Sequence, residues 1–129
     1  MFSYRAYNYL IESELKFPEF LPAVEDDVDF SGPPVVIRYG DVPAELENPT
    51  GRGVLYQASA HQFLLKLDGV ARYLVCNGNE IVVEPAPGSL ASDVRVFLLG
   101  SCFGALLHQR GVLVLVSVTK YSPRAAGGV

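Results

Sequence analysis

Apolar and polar positions along the chain fall first into short strands. Residues 36–39, 54–57, 63–67, 71–75 and 81–84 are runs rich in β-branched or aromatic residues, each bounded by Gly, Asn, Asp or Pro. Asp68-Gly69 and Asn77-Gly78 sit between the later runs, and both dipeptides suit the positive φ of tight hairpin turns. The pattern predicts an antiparallel meander of four strands over 54–84. Within it Phe63, Leu65 and Leu67 alternate with Gln62, Leu64 and Lys66, so one face is expected on a core and the other partly wet. Near the start Tyr4, Ala6 and Asn8 alternate less cleanly with Arg5, Tyr7 and Tyr9, and this stretch is expected as one strand. Spans 17–34 and 40–53, rich in Pro, Gly and acid, are expected as connectors inside one domain, because apolar runs resume after each.

After Glu84 the period changes. Pro85, Pro87 and Gly88 precede Ser89, a candidate N-cap, and Asp93 lies near the positive end of the expected helix dipole. Arg110 closes the last turn and Gly111 suits the position just past it, so one helix is expected over 90–110. At 3.6 residues per turn Val94, Leu98, Cys102, Ala105 and Gln109 share one side, while Val96, Leu99, Phe103, Leu106 and Leu107 cover much of the rest. A surface helix usually shows one apolar stripe, so this one expects cover on two sides. Gly100, Ser101, Gly104 and Ala105 place small residues four apart, and close packing on the sheet is the expected reason. A final apolar strand, 112–118, follows, and 119–129 reads as a tail. Many strands, one helix and one strand make an α+β pattern: a largely antiparallel twisted sheet with a long C-terminal helix packed on it.

Composition narrows the function. With 129 residues, 50% hydrophobic and 19% charged, the chain has room for one domain, which buries about two thirds of its unfolded surface. Ten Lys and Arg against fourteen Asp and Glu leave a net charge of -4 and no basic cluster, which argues against nucleic acid. Seven of the fourteen acids lie within 12–29. That acidic stretch reads as a solvated loop, with Asp26, Asp27 and Asp29 as candidates for a divalent cation. The mean hydropathy of +0.25 is high for a small domain and points to apolar surface that meets another copy or a partner domain. The start has no basic and then apolar leader, and the uncharged run 96–109 falls short of the about 20 residues of a membrane span. Cys76 and Cys102 form no disulfide framework, which suits buried thiols in a reducing cytoplasm.

Catalytic constellations are sparse. Cys102 lacks a base on its own helix face, because His108 lies about 240° around, so a buried inert thiol is expected. Cys76, Cys102, His61 and His108 have zinc-ligand chemistry but no closely spaced pair. His108, Gln109 and Arg110 cluster at the helix end, where they either cap carbonyls or meet a partner or an anion. No phosphate-binding Gly-Lys-Ser/Thr loop, G-x-S-x-G elbow or H-E-x-x-H is present. No cofactor is expected.

The segment DVRVFLLGSCFGALLHQRGVL, 93–113, resembles the end of the N-terminal region of bacterial HPr kinase/phosphorylase-related proteins, which are P-loop serine-kinase-like. YRAYNYLIESEL, VVIRYG, YQASAHQFLLKLDGVARYLV and IVVEPAPG are similar to the same family, so the resemblance spans about residues 4–115. In such relatives the strand after LLHQRG leads toward a Walker-type loop; here Val116 to Lys120 stand in its place, and no nucleotide-binding residue carries over. The resemblance implies an N-terminal domain, 1–118, without its kinase domain, from a short paralogue, a truncation or a shifted frame. A non-catalytic recognition or assembly domain that self-associates is therefore expected, with His108, Gln109, Arg110, Phe103 and Leu107 as interaction candidates. The rival expectations are a remnant kinase-like or phosphorylase-like enzyme needing a missing P-loop domain, and a β-rich module binding a small molecule or metal.

Overall fold

The computed structural model describes residues 1–24, 30 and 32–111. The cation candidates Asp26, Asp27 and Asp29, the expected strand 112–118 and the tail lie outside the described residues.

Two adjacent residues near the start decide the N-terminal architecture. Tyr7 and Asn8 both take positive φ, 55° and 64°, which folds the expected single strand into a hairpin of β1 (Phe2–Ala6) and β2 (Tyr9–Ser13), with Ala6 opposite Tyr9. Paired positive φ values suit the twist of a two-residue hairpin, and Asn tolerates that region well. Tyr7 does not, and its ring packs on Phe103 with centroids 5.5 Å apart.

The chain continues through β3 (Leu21–Pro22), β4 (Val35–Tyr39), β5 (Gly51–Arg52), β6 (Tyr56–Ala58), β7 (Gln62–Leu67), β8 (Ala71–Cys76) and β9 (Glu80–Pro85). All nine join one sheet in the order β3-β1-β2-β4-β9-β8-β7-β6-β5. The meander β6 to β9 is antiparallel throughout, as its turn residues require. Gly69, Asn77 and Gly78 adopt the positive φ expected of those turns. By contrast β4 pairs in parallel with both β2 and β9, so the sheet is mixed although mostly antiparallel. Two short strands, β3 and β5, fall inside spans expected as connectors. The strand expected from residue 54 starts at Tyr56, because Gly53 donates its N–H to Tyr56 O at 2.9 Å and turns Val54 and Leu55 outward.

The helix α1 runs over Ala91–Gln109 and lies on one face of the sheet. Ser89 is not its cap. The capping position is Leu90, in extended geometry and without a side-chain bond, while the Ser89 N–H is taken up by Ala86 O in the preceding turn. Arg110 ends the helix, and Gly111 leaves it at φ 82°, where a Cβ would be strained.

Leu98–Cys102 is a π-helical turn within α1. Its extra residue rotates everything after it by about one residue's 100° relative to a continuous α-helix. Phe103 and Leu106, expected on the second stripe, thereby join Val94, Leu98 and Cys102 on the sheet, and all five are buried. Ala105 leaves the sheet side by the same rotation. The outward ridge is Val96, Gly100, Gly104 and His108.

Two cores result. The larger lies under α1, where Ile11, Ile37, Tyr73, Val75, Ile81 and Val83 are each 0% exposed. The other face of the sheet, expected partly wet, carries a small second core of Val42, Leu46, Leu64 and Val82. Polar side chains of the sheet hold the covering loop: Glu84 and Gln57 accept from the N–H of Val42 and Leu46 at 2.8 Å each, and Arg72 donates to Val42 O at 3.4 Å. Each bond satisfies a loop group that the apolar contacts would otherwise desolvate.

Candidate interaction surface

Helix α1 has two flanks on the sheet, and they are finished differently. On one, Tyr4, Phe17, Phe20, Tyr7 and Phe103 interlock edge to face and tilted, with centroids 4.9 to 6.0 Å apart along the chain of rings. The Phe17 N–H donates to the Tyr4 hydroxyl at 2.8 Å, which holds the segment after β2 against the core. Arg95 Nε donates to Glu19 Oε2 at 3.1 Å and ties the same segment to the helix; both side chains are partly exposed, so this ion pair contributes little.

The other flank is open. Tyr56 lies opposite Leu65 and Ala58 opposite Phe63, so these four share the helix-facing side of the sheet. Leu65 is buried in the core with the helix, but the helix stops short of Tyr56. Between this strip and the helix runs a groove of about 640 Å³, with Tyr56, Phe63 and Leu65 on the floor and Gly100, Ser101, Gly104 and Ala105 on the wall. The Tyr56 and Phe63 rings stack at 5.9 Å, yet Tyr56 remains 41% exposed. Beside it Val54 is fully exposed and Leu55 half exposed. Among the described residues lining the groove there is no Asp, Glu, Lys or Arg. The small residues expected to pack on the sheet do not: a Cβ placed on Gly100 or Gly104 would meet nothing within 4 Å.

At its C-terminal end the helix is clamped to the β8–β9 turn. Gln109 Oε1 accepts from the Gly78 N–H at 2.7 Å, and its Nε2 donates to Val75 O at 3.2 Å. Arg110 donates to Gly78 O and, at 2.7 Å, to Pro33 O, and its guanidinium lies 4.2 Å from the Tyr9 ring centre. Gly78 is required here twice over, by its φ of 68° and because a Cβ would stand 2.8 Å from Arg110 Cγ. The segment LLHQRG is therefore structural in the first place. Leu106 enters the core, Gln109 and Arg110 grip the turn, and Gly111 releases the chain.

The five interaction candidates thus separate. Phe103 is 1% exposed in the core, Leu107 packs partly buried against it, and Gln109 and Arg110 bond within the chain. His108 is exposed, and with Gln109 it lines the groove. Sequence reading missed Leu55, Tyr56 and Phe63 as groove residues; the signal was the uncharged run Gly53 to Ser59, whose exposure no periodicity reports.

The thiols offer little chemistry. Cys102 is fully buried, and burial pushes its thiol up. Cys76 is only half-buried rather than interior; burial pushes its thiol up while a hydrogen bond from Gln62 pulls the other way. Both shifts reduce the thiolate on which reactivity depends. Among the described residues no three His, Cys, Asp or Glu side chains gather as a metal site. By length and composition α1 could cross a membrane. Its Val94, Leu98, Cys102, Phe103 and Leu106 are instead committed to the core of this α+β domain.

Compared with known proteins, the chain matches no family model, no curated protein and no solved structure.

Proposed function

We propose that the chain is a cytoplasmic, non-catalytic recognition and assembly domain that associates with itself, of the kind that resembles the N-terminal domain of HPr kinase-related proteins. The observation that carries this reading is the uncharged groove beside a helix closed on one flank only. An uncharged, mostly apolar surface of this kind on a small domain is characteristic of a binding face. With 19% of the chain charged, a groove and helix wall free of Asp, Glu, Lys and Arg is a concentrated exception.

Light scattering on the full chain, across a range from about 1 to 100 μM, tests it. The expected result is a mass that rises with concentration above the 14.0 kDa of one chain. A constant single-chain mass over the whole range would count against self-association. Calorimetric titration with Mg-ATP addresses the rival, a remnant kinase-like enzyme: no heat is expected, and saturable heat would favour the rival.

A further inference from the structure

We infer that the groove is filled by helix α1 of a second copy, antiparallel to the first, with Gly100 of each copy against Gly104 of the other. This deepens the self-association reading above and rests on it.

The first support is an unexplained cost within the chain. Glycine in a helix interior is less favourable than alanine by about 1 kcal/mol. Neither Gly100 nor Gly104 takes a positive φ, and neither has a neighbour within 4 Å of where a Cβ would stand. Nothing in the described chain uses the missing side chains. A helix backbone arriving from outside does, because small residues on the contact ridge let two axes approach closely.

The second support is chemical. The groove accepts an occupant without charge, and the outward ridge of α1 is itself such an occupant: Val96, Gly100, Gly104 and His108, with no Asp, Glu, Lys or Arg between Arg95 and Arg110. The pairing is self-complementary. With the two-fold axis near residue 102, Gly100 meets Gly104 and the exposed Val96 meets His108, twice over by symmetry. An antiparallel pair also sets each positive helix end beside a negative one. Each helix then lies on its own sheet below and on the partner's exposed Tyr56 and partly buried Phe63 above. Two helices become sandwiched between two sheets, and Val54 and Leu55 close the rim. That provides the cover on a second side which the helix's composition demands.

The test uses the full chain. Gly104→Arg introduces a charge at the centre of the pairing from a position whose Cβ meets nothing in the single copy, so the circular dichroism of the monomer keeps its form and its melting temperature holds or rises slightly with the better helix former. It is expected to weaken dimerisation by about a hundredfold or more, since an unpaired buried charge is not tolerated. Ser101→Cys in a Cys76→Ser background places thiols near the two-fold axis. With dissolved oxygen as the oxidant, rapid disulfide-linked dimer is expected from it, and none from Asp68→Cys, an exposed turn position, in the same background. A dimer that survives Gly104→Arg, with no Ser101→Cys link, overturns the helix pairing and leaves the assembly reading standing. A wild type that stays monomeric at all concentrations overturns both. A monomeric wild type whose melting temperature falls with Gly104→Arg means that other residues of the same chain fill the groove, which also overturns the pairing.

Discussion

The two flanks of α1 carry aromatic clusters of comparable chemistry and opposite fate. Phe17, Phe20 and Phe103 lock the closed flank, and the ring of Phe103 is 1% exposed. Tyr56 and Phe63 line the open flank, where the strip next to the helix wall remains in water. The difference is not in hydrophobicity but in chain length nearby. After β2 the chain runs along the flank of the helix and brings Phe17 and Phe20 with it, whereas after β6 a short turn, with Ser59 N–H bonded to Gln62 O at 2.8 Å, sends it straight into β7. A helix flank is closed by a connection long enough to lie along it, and the open flank has none among the described residues.

If the closed flank is the stabilising one, Phe103→Ala should cost about 3–5 kcal/mol, because it empties a fully enclosed ring site. Urea denaturation measures this, and a loss below about 1 kcal/mol would break the distinction. At the helix end, Gln109→Ala removes two bonds to the β8–β9 turn and strands the Gly78 N–H, at an expected cost of about 1–3 kcal/mol. Hydrogen exchange at Gly78 should quicken in step, and unchanged protection would show that the clamp is dispensable.

The enclosed side also predicts a pH dependence. Cys102 and Tyr73 are held above their ordinary values of 9.0 and 10.0, chiefly by burial; the Tyr73 hydroxyl donates to Val94 O at 2.9 Å. The unfolded chain therefore loses protons above pH 9 that the folded chain retains. Stability from Cys102 is fully present below pH 9 and falls as pH rises, by about 1.4 kcal/mol per pH unit. Denaturation at pH 8 and pH 10 checks the sign, and Cys102→Ala should flatten the slope. The smallest effect belongs to the open flank: Tyr56→Ser should cost a single copy only about 0.5–1.5 kcal/mol, the worth of its stack on Phe63. A loss of several kcal/mol measured on dilute monomer would mean that the groove is already filled from within.

Much of this was legible from local chemistry. Asp68-Gly69 and Asn77-Gly78 marked their turns because only residues tolerant of positive φ are comfortable there, and Gly111 marked the helix end for the same reason. Tyr7-Asn8 escaped notice because no glycine stands in it; the turn is held by a ring contact with Phe103, 96 residues on, that no local pattern contains. The groove was half legible. Its helix wall was visible as spaced small residues, but its floor depends on where α1 lies across β6 and β7, and the five interaction candidates accordingly mixed core, clamp and surface.

Alternation and turn residues by themselves determined the β6–β9 meander, a helix between Gly88 and Gly111, and the α+β class, since each rests on interactions between near neighbours in the chain. Tertiary structure alone decided the parallel placement of β4 between β2 and β9, the second core over Leu64, and the π turn that carries Phe103 and Leu106 inward and Gly104 outward. Those depend on contacts between distant segments, where the burial of a whole face outweighs the spacing of residues along it.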